Sequence, residues 1–187
     1  MRLNYGAKSW ICPQPVFVVG TYNSDGTPNA MTCVWGGQSS ESEILLSLGE
    51  EHATTKNIIE RKMFTVSMAT ADHAVRCDFI GLVSANFYEG KMEGSGFTTE
   101  PAQFVDAPII KELPITFECR LMDYDPATGH LFGQIVNLTI EKSVLGTNGR
   151  PDPALVKPLI YDPANQYYYS VGEKVGKAFK IGKELRG

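Results

Sequence analysis

Apolar and polar residues alternate with the period of two that marks a half-buried strand in several separate stretches of this chain. Alternation or β-branched content predicts strands over Val16 to Tyr22, Ala30 to Trp35, Ile44 to Leu48 and Phe64 to Met68. The turn-rich run Asn23-Ser24-Asp25-Gly26-Thr27-Pro28-Asn29 separates the first two and predicts a hairpin. Further along, Ile115, Phe117, Cys119 and Leu121 alternate with Thr116, Glu118, Arg120 and Met122. After the turn Asp125-Pro126-Ala127-Thr128-Gly129, Val136, Leu138 and Ile140 alternate with Asn137, Thr139 and Glu141, predicting a second long strand antiparallel to the first. A last strand is predicted over Gln166 to Val171. Helical periodicity is sparse. It predicts one helix over Thr54 to Met63, a short one from Asp72 as N-cap to about Phe79, and one near Gly172 to Ile181 that Gly176 weakens. Strands separated by turns, with a few short helices outside, predict a mainly β fold, a closed or partly closed antiparallel barrel. No repeat, low-complexity tract or linker divides residues 1–187, so a single domain is expected.

Composition narrows the partners. Hydrophobic residues at 43% and charged residues at 20% supply a packed core without a disorder signature. A net charge of −4 with no basic stripe argues against nucleic acid. The longest apolar runs, such as Val16-Phe17-Val18-Val19, are too short to cross a bilayer, and the first twenty residues lack the order of a signal peptide. A cytoplasmic protein without membrane attachment is therefore expected. Cys12, Cys33, Cys77 and Cys119 have no C-x-x-C spacing and read as reduced, mostly buried thiols. His52, His73 and His130 are scattered, so no metal site is expected. No G-x-G-x-x-G follows a strand, no Walker A loop exists, and Gly94-Ser95-Gly96 lacks the flanks of a nucleophile elbow.

Four features remain as candidate chemistry. Asn29-Ala30-Met31-Thr32, followed by Trp35-Gly36-Gly37, is either an ordinary strand or a small-residue surface on which a flat ring can lie against backbone donors and acceptors. His52-Ala53-Thr54-Thr55-Lys56-Asn57 opens the first helix; exposed amides, two hydroxyls and a lysine make a phosphate cradle, or simply a capped helix with a solvated lysine. Lys91 lies in the Gly-rich stretch Glu89 to Gly94, where a lone loop lysine reads as solvent-exposed. Tyr161, Tyr167, Tyr168 and Tyr169 are half-buried packing residues or a stacking surface.

Several runs, in order, are similar to the flavoredoxin branch of the flavin reductase-like family. They include Pro15-Val16-Phe17-Val18-Val19-Gly20-Thr21, Pro28 to Thr32, Trp35-Gly36-Gly37, Asp106-Ala107-Pro108 and Glu118-Cys119-Arg120-Leu121. Val156-Lys157-Pro158-Leu159, Tyr168, Val171-Gly172-Glu173 and Ala178 to Gly182 continue the match, which spans roughly Gly6 to Lys183. The resemblance implies an FMN-binding split β-barrel and a flavin-dependent oxidoreductase. It places Asn29, Ala30, Met31 and Thr32 along the isoalloxazine edge, with Trp35, Ser47, Leu48 and Tyr168 around the flavin. His52, Thr54, Thr55 and Lys56 would take the FMN phosphate, and Lys91 would sit beside the ring, its charge supporting the reduced flavin.

The same resemblance implies a homodimer and an electron partner, either NADH or NADPH or a redox protein. Relatives that use nicotinamide carry a histidine five residues before the glycine of a Gly-Glu motif. With Gly133-Gln134 taken as that motif, the position falls on Thr128, and His130 two residues later is the candidate substitute on the same strand face. Two other readings stay open. One is a pure FMN electron carrier without NAD(P)H activity, and the other is a flavin-free binding module of the same barrel.

Overall fold

The computed structural model describes residues 1–185. The chain opens with β1 (Gln14–Pro15), β2 (Phe17–Tyr22) and β3 (Pro28–Cys33); β2 and β3 form the expected hairpin, with Tyr22 opposite Pro28. A second hairpin follows, β4 (Gly36–Ser40) with β5 (Glu43–Ser47), and then helix α1 (Ala53–Arg61) and β6 (Met63–Met68). Helices α2 (Ala74–Leu82) and α3 (Lys91–Ser95) precede the short pair β7 (Thr99–Pro101) and β8 (Pro108–Ile110). The two long strands are β9 (Ile115–Asp125) and β10 (His130–Ile140). Helix α4 (Pro153–Val156), β11 (Leu159–Asp162) and β12 (Tyr167–Ser170) complete the order.

Seven strands make one antiparallel sheet in the order β3-β2-β6-β9-β10-β5-β4. It curls into a half-barrel whose free edges are β3 and β4, so the barrel is the partly closed kind. β9 organises it. Its first residues pair with β6, Met63 opposite Arg120, while its whole length pairs with β10. Two bulges, one at Met122 in β9 opposite Phe132/Gly133 and one at Val136 in β10, bend that ladder. At Gly133 the ring of Phe64 approaches so closely that an added Cβ would lie 2.5 Å from Phe64 Cζ, so only glycine fits there.

The uninterrupted apolar run of β2 is explained by burial on both faces. Phe17 and Val19 enter a core inside the curl, with Leu46, Ile58, Phe64, Val66 and Leu131. Val16 and Val18 enter a second core under α2, with Ala30, Cys77, Ile80 and Ile110. At about 25 cal/mol per Å² of apolar area removed from water, burying one such Val or Phe contributes roughly 1.5–3 kcal/mol. β3 is divided the same way: Ala30 points to the second core, whereas Met31 and Cys33 pack against the first.

Four expectations need correction. No helix spans Gly172 to Ile181; the chain there is irregular and exposed throughout, with no buried face to support a helix, and only a 3₁₀ turn forms at Ile181–Leu185. Asp72 does not cap α2: a 3₁₀ turn at Ala71–His73 comes first, and the Asp72 carboxylate instead accepts from Lys157 Nζ at 3.1 Å. Met63 belongs to β6, since the left-handed Lys62 (φ 61°) ends α1 at Arg61. The glycine-rich stretch holding Lys91 is helical, and Lys91 is 6% exposed rather than solvated. Among the described residues, no helix is long and apolar enough to cross a membrane. All four cysteines are free, three of them buried, and burial pushes the Cys33 and Cys77 thiols up to about 11 and Cys119 to about 12.

Candidate functional site

The open side of β3 is where α1, the end of α2 and the start of α3 meet. In the β2–β3 hairpin, Asn23 N–H donates to the Thr27 carbonyl, and the antiparallel alternation that follows directs the backbone groups of Ala30 and Thr32 away from β2. Those groups lie at the sheet edge, available to a ligand. A cavity of about 170 Å³ spans this edge, lined by Asn29 and Met31 from β3, His52, Ala53 and Thr54 from the start of α1, residues 80–85, and Lys91. A second cavity of about 390 Å³ shares Asn29, Ala85 and Lys91 with it and extends over Asn23, Asp25, Tyr88 and Glu93.

Three features of these cavities call for a ligand. The Asn29 amide is 1% exposed, and its Nδ2 donates to Thr54 Oγ1 at 2.9 Å, yet Asn29 Oδ1 has no hydrogen-bond partner. A buried acceptor left unpaired costs roughly 1–3 kcal/mol, which a donor on a ligand would recover. Lys91 forms no ion pair among the described residues, and burial pulls its ammonium down to about 8. The first turn of α1 is open as well: His52 occupies the N-cap position with no side-chain cap bond, leaving the leading amides and the positive end of a nine-residue helix at the cavity. An anionic group between α1 and Lys91, on a body offering donors to Asn29 and to a strand edge, meets all three.

The structure sorts the expected site residues into groups. Asn29, Met31, His52, Thr54 and Lys91 line the first cavity together. Thr55 is fully buried behind the helix start, its Oγ1 unpartnered and outside both cavities, while Lys56 is exposed. Ala30 packs under α2. Thr32 donates its hydroxyl to the Cys77 carbonyl and lines a different cavity of about 330 Å³, with Asp78, Gly81, Leu82 and Tyr168. Tyr168 is anchored there, its hydroxyl donating to Asp78 Oδ1 at 2.9 Å and its ring tilted against Tyr161 at 5.8 Å. Desolvation, then the Asp78 contact, raise its phenol well above the ordinary range. Gly81 and Leu82 line both this cavity and the first, so the two open on either side of the β3 edge. An added Cβ on Gly81 would lie 3.1 Å from Thr32 Cβ, which shows how closely α2 approaches the strand.

Trp35, Ser47, Leu48 and His130 form a separate group. Ser47 N–H donates to the Trp35 carbonyl at 2.8 Å, Leu48 N–H donates to the Gly129 carbonyl at 2.8 Å, and His130 is opposite Ser47 in the β5–β10 pairing. Trp35, Ser47 and His130 are exposed, whereas Leu48 is buried in the first core. Thr128 lies in the β9–β10 turn, not on the strand, and donates its hydroxyl to Asp125 Oδ2 at 2.8 Å; it does not share a strand face with His130. The residues that periodicity did not single out are Ala85, Tyr88 and Met92, which follow α2 or begin α3 and carry no recognisable spacing.

Known proteins share the overall structure. The chain is similar to the flavoredoxin of Desulfovibrio vulgaris (Miyazaki F), with 34% identity, a TM-score of 0.93, and coverage of 98% of this chain and 100% of that one. It is also similar to a flavoredoxin from Methanosarcina acetivorans, at 26% identity and a TM-score of 0.88 over 99% of each chain. A 2-nitrobenzoate 2-nitroreductase of Pseudomonas fluorescens aligns at 25% identity and a TM-score of 0.76, over 90% of this chain and 85% of that one. The curled, two-edged sheet is thus the split barrel that the resemblance implied. Residues 9–170 match the family model described as flavin reductase like domain, and with most of its length matched the chain belongs to that family.

Proposed function

We propose that this protein binds FMN non-covalently and works as an oxidoreductase that passes electrons through it. The observation that carries this is the pairing of a buried, unpaired Lys91 ammonium with the orphaned Asn29 Oδ1, both lining both cavities at the free edge of β3. The similarity to two flavoredoxins and a nitroreductase supports the same chemistry. FMN when bound supplies a ring that takes up and releases one or two electrons.

The chain's own residues do the holding. The open amides of α1 and the Thr54 hydroxyl receive the phosphate, with His52 at the rim, the exposed Lys56 further along α1, and Lys91 balancing charge across the cavity. Asn29 and the outward backbone groups of Ala30 and Thr32 bond polar atoms of the ligand along the strand edge. Tyr168, fixed by Asp78, bounds the neighbouring cavity on the Thr32 side of the strand edge. The Lys91 ammonium, in a desolvated wall, stabilises negative charge more strongly than a solvated lysine would.

A second reading, an electron carrier that does not react directly with nicotinamide, is favoured by one observation. The Thr128 hydroxyl is committed to Asp125 in the turn, and His130 lies with Ser47 rather than with the Lys91 cavities. A homodimer completing the flavin site belongs to both readings. The experiment is a titration of the flavin-free protein with FMN and with riboflavin, followed by anaerobic mixing of the FMN complex with NADH and NADPH. Saturable FMN binding tighter than riboflavin supports the site, and fast reduction by either nicotinamide selects reductase over carrier. No binding of either flavin overturns the proposal.

A further inference from the structure

Lys91 opens α3 and is 6% exposed, yet it is not sealed in. It lines both cavities at the β3 edge and so stands where the two meet. The backbone that carries it is clamped. Met92 packs against the second core, and the Ser95 hydroxyl donates to the Met92 carbonyl at 2.7 Å. An added Cβ on Gly94 would lie 3.3 Å from Phe79 Cζ and 3.5 Å from the Tyr88 hydroxyl, so α3 sits tightly on α2 and the segment after it. Held there without an ion pair among the described residues, the amine faces open space rather than a carboxylate. Burial lowers it to about 8, so near neutral pH it offers free amine that a solvated lysine, titrating near about 10.4, does not. A desolvated lysine of this kind is a nucleophile.

The groups facing it differ on the two sides. Toward α1 lie the uncapped amides of a nine-residue helix, the Thr54 hydroxyl and His52. Thr54 Oγ1 accepts from Asn29 Nδ2 and keeps its own proton to donate. Toward the larger cavity lie the Asp25, Glu89 and Glu93 carboxylates and the Tyr88 phenol. An anion entering this space is drawn to the α1 side and turned away from the acidic side. The smaller cavity, about 170 Å³, is the size of a small metabolite rather than of a whole flavin nucleotide. A small phosphorylated molecule anchored at α1 has its other end beside the Lys91 amine.

We propose that Lys91 of the flavin-free protein is an acylation site for small acyl phosphates, with α1 holding the phosphate while the Lys91 amine attacks the acyl carbon. The C–O bond to phosphate breaks, and its electron pair leaves with inorganic phosphate. The proton of the amine passes to water, and an N-acyl lysine remains. Fixing the donor by its phosphate turns an encounter between two molecules into a reaction within one complex. The product is neutral and bulkier, so a modified chain lacks the cation that balances a bound phosphate. The placement of phosphate at α1 rests on the flavin reading above, whereas the buried amine and its cavities do not. Bound FMN fills the same cradle, so acylation falls on chains without flavin and blocks their loading.

The test is to incubate the flavin-free full chain with acetyl phosphate near pH 8 and to follow each lysine by quantitative peptide mass spectrometry. Lys91 should be acetylated at least about tenfold faster than the exposed Lys111 and Lys142. Excess inorganic phosphate, or FMN, should slow the reaction at Lys91 and leave the other two unchanged. N-acetoxysuccinimide, which carries no phosphate, should show a weaker preference for Lys91 and no response to inorganic phosphate. In the guanidinium-unfolded chain the preference should vanish. Lys91→Gln, the neutral counterpart of the acylated residue, should bind FMN at least about tenfold more weakly than Lys91→Arg, which keeps the charge. Acetylation of Lys91 no faster than of Lys111 and Lys142, or a preference that inorganic phosphate does not lower, overturns the proposal. Equal FMN affinity in the two variants overturns the block on loading. If inorganic phosphate slows the reaction at Lys91 while FMN neither binds nor slows it, the acylation site stands and the flavin reading falls.

Discussion

Lys91→Met keeps the length and apolar stem of the side chain and removes its charge, so it separates what the buried ammonium costs from what it contributes. Burial takes this amine from an ordinary 10.5 to about 8. One pKa unit corresponds to about 1.4 kcal/mol, so the full shift would be roughly 3 kcal/mol, and about 2 kcal/mol after allowing for water that reaches the ammonium through the two cavities. The folded value lies below the unfolded one, so the cost is fully present below pH 8. It fades as the pH rises from about 8 toward 10.5, where the unfolded lysine also loses its proton. Flavin-free Lys91→Met should therefore melt about 4–8 °C above the parent at pH 7, taking roughly 2–4 °C per kcal/mol for a chain of this size. That advantage should shrink above pH 8. FMN should act in the opposite direction. Loss of a charge-assisted contact costs about 1.5–3 kcal/mol, or on the order of 10- to 100-fold in affinity, so saturating FMN should raise the melting temperature of the parent more than that of the variant. Thermal melts followed by circular dichroism at pH 7 and pH 10, with a fluorescence titration of FMN, check both halves. A variant no more stable than the parent without flavin would show that the ammonium is not held at a desolvation cost. An unchanged FMN affinity would remove Lys91 from the site.

Other outcomes follow from the same geometry. Lys56→Ala, at an exposed position on α1, should weaken FMN by about two- to fivefold, corresponding to roughly 0.5–1 kcal/mol, and leave riboflavin unchanged; equal weakening of both would take Lys56 away from the phosphate. Glu118 is fully buried and accepts from Phe104 N–H at 2.6 Å and Asn137 Nδ2 at 2.7 Å. Glu118→Ala should cost about 2–4 kcal/mol in urea unfolding by stranding both donors, and an unmoved midpoint would refute that role. Reduction of the FMN complex by NADH should be slow in the parent and in His130→Ala. A fast parent made slow by His130→Ala would assign the histidine to the donor site, and faster reduction in Thr128→His would locate it at the turn.

Where the side-chain period was clean, the sequence by itself determined the elements. Ile115 to Leu121 and Val136 to Ile140 became the paired β9 and β10, and the predicted helix over Thr54 to Met63 became α1 as far as Arg61, because alternation and 3.6-residue spacing report directly on which face is buried. The helix start at His52 was legible for the same reason, since a helix start is a local event. Other features were decided only by the tertiary structure. β4 reads Gly-Gly-Gln-Ser-Ser, with no apolar alternation, and is a strand because β5 pairs with it. Gly172 to Ile181 has helical spacing but no surface in its own chain to bury the face, so the helix does not form. Lys91 is the sharpest case. Glycines on either side argue for a solvated loop, and nothing nearby in sequence reveals that β3, α1 and the end of α2 close around it. A residue's periodicity reports its own element, whereas desolvation depends on elements brought together from distant parts of the chain. Lys91 and Asn29 therefore come to line the same cavity only once the sheet has curled and the helices have packed against its free edge.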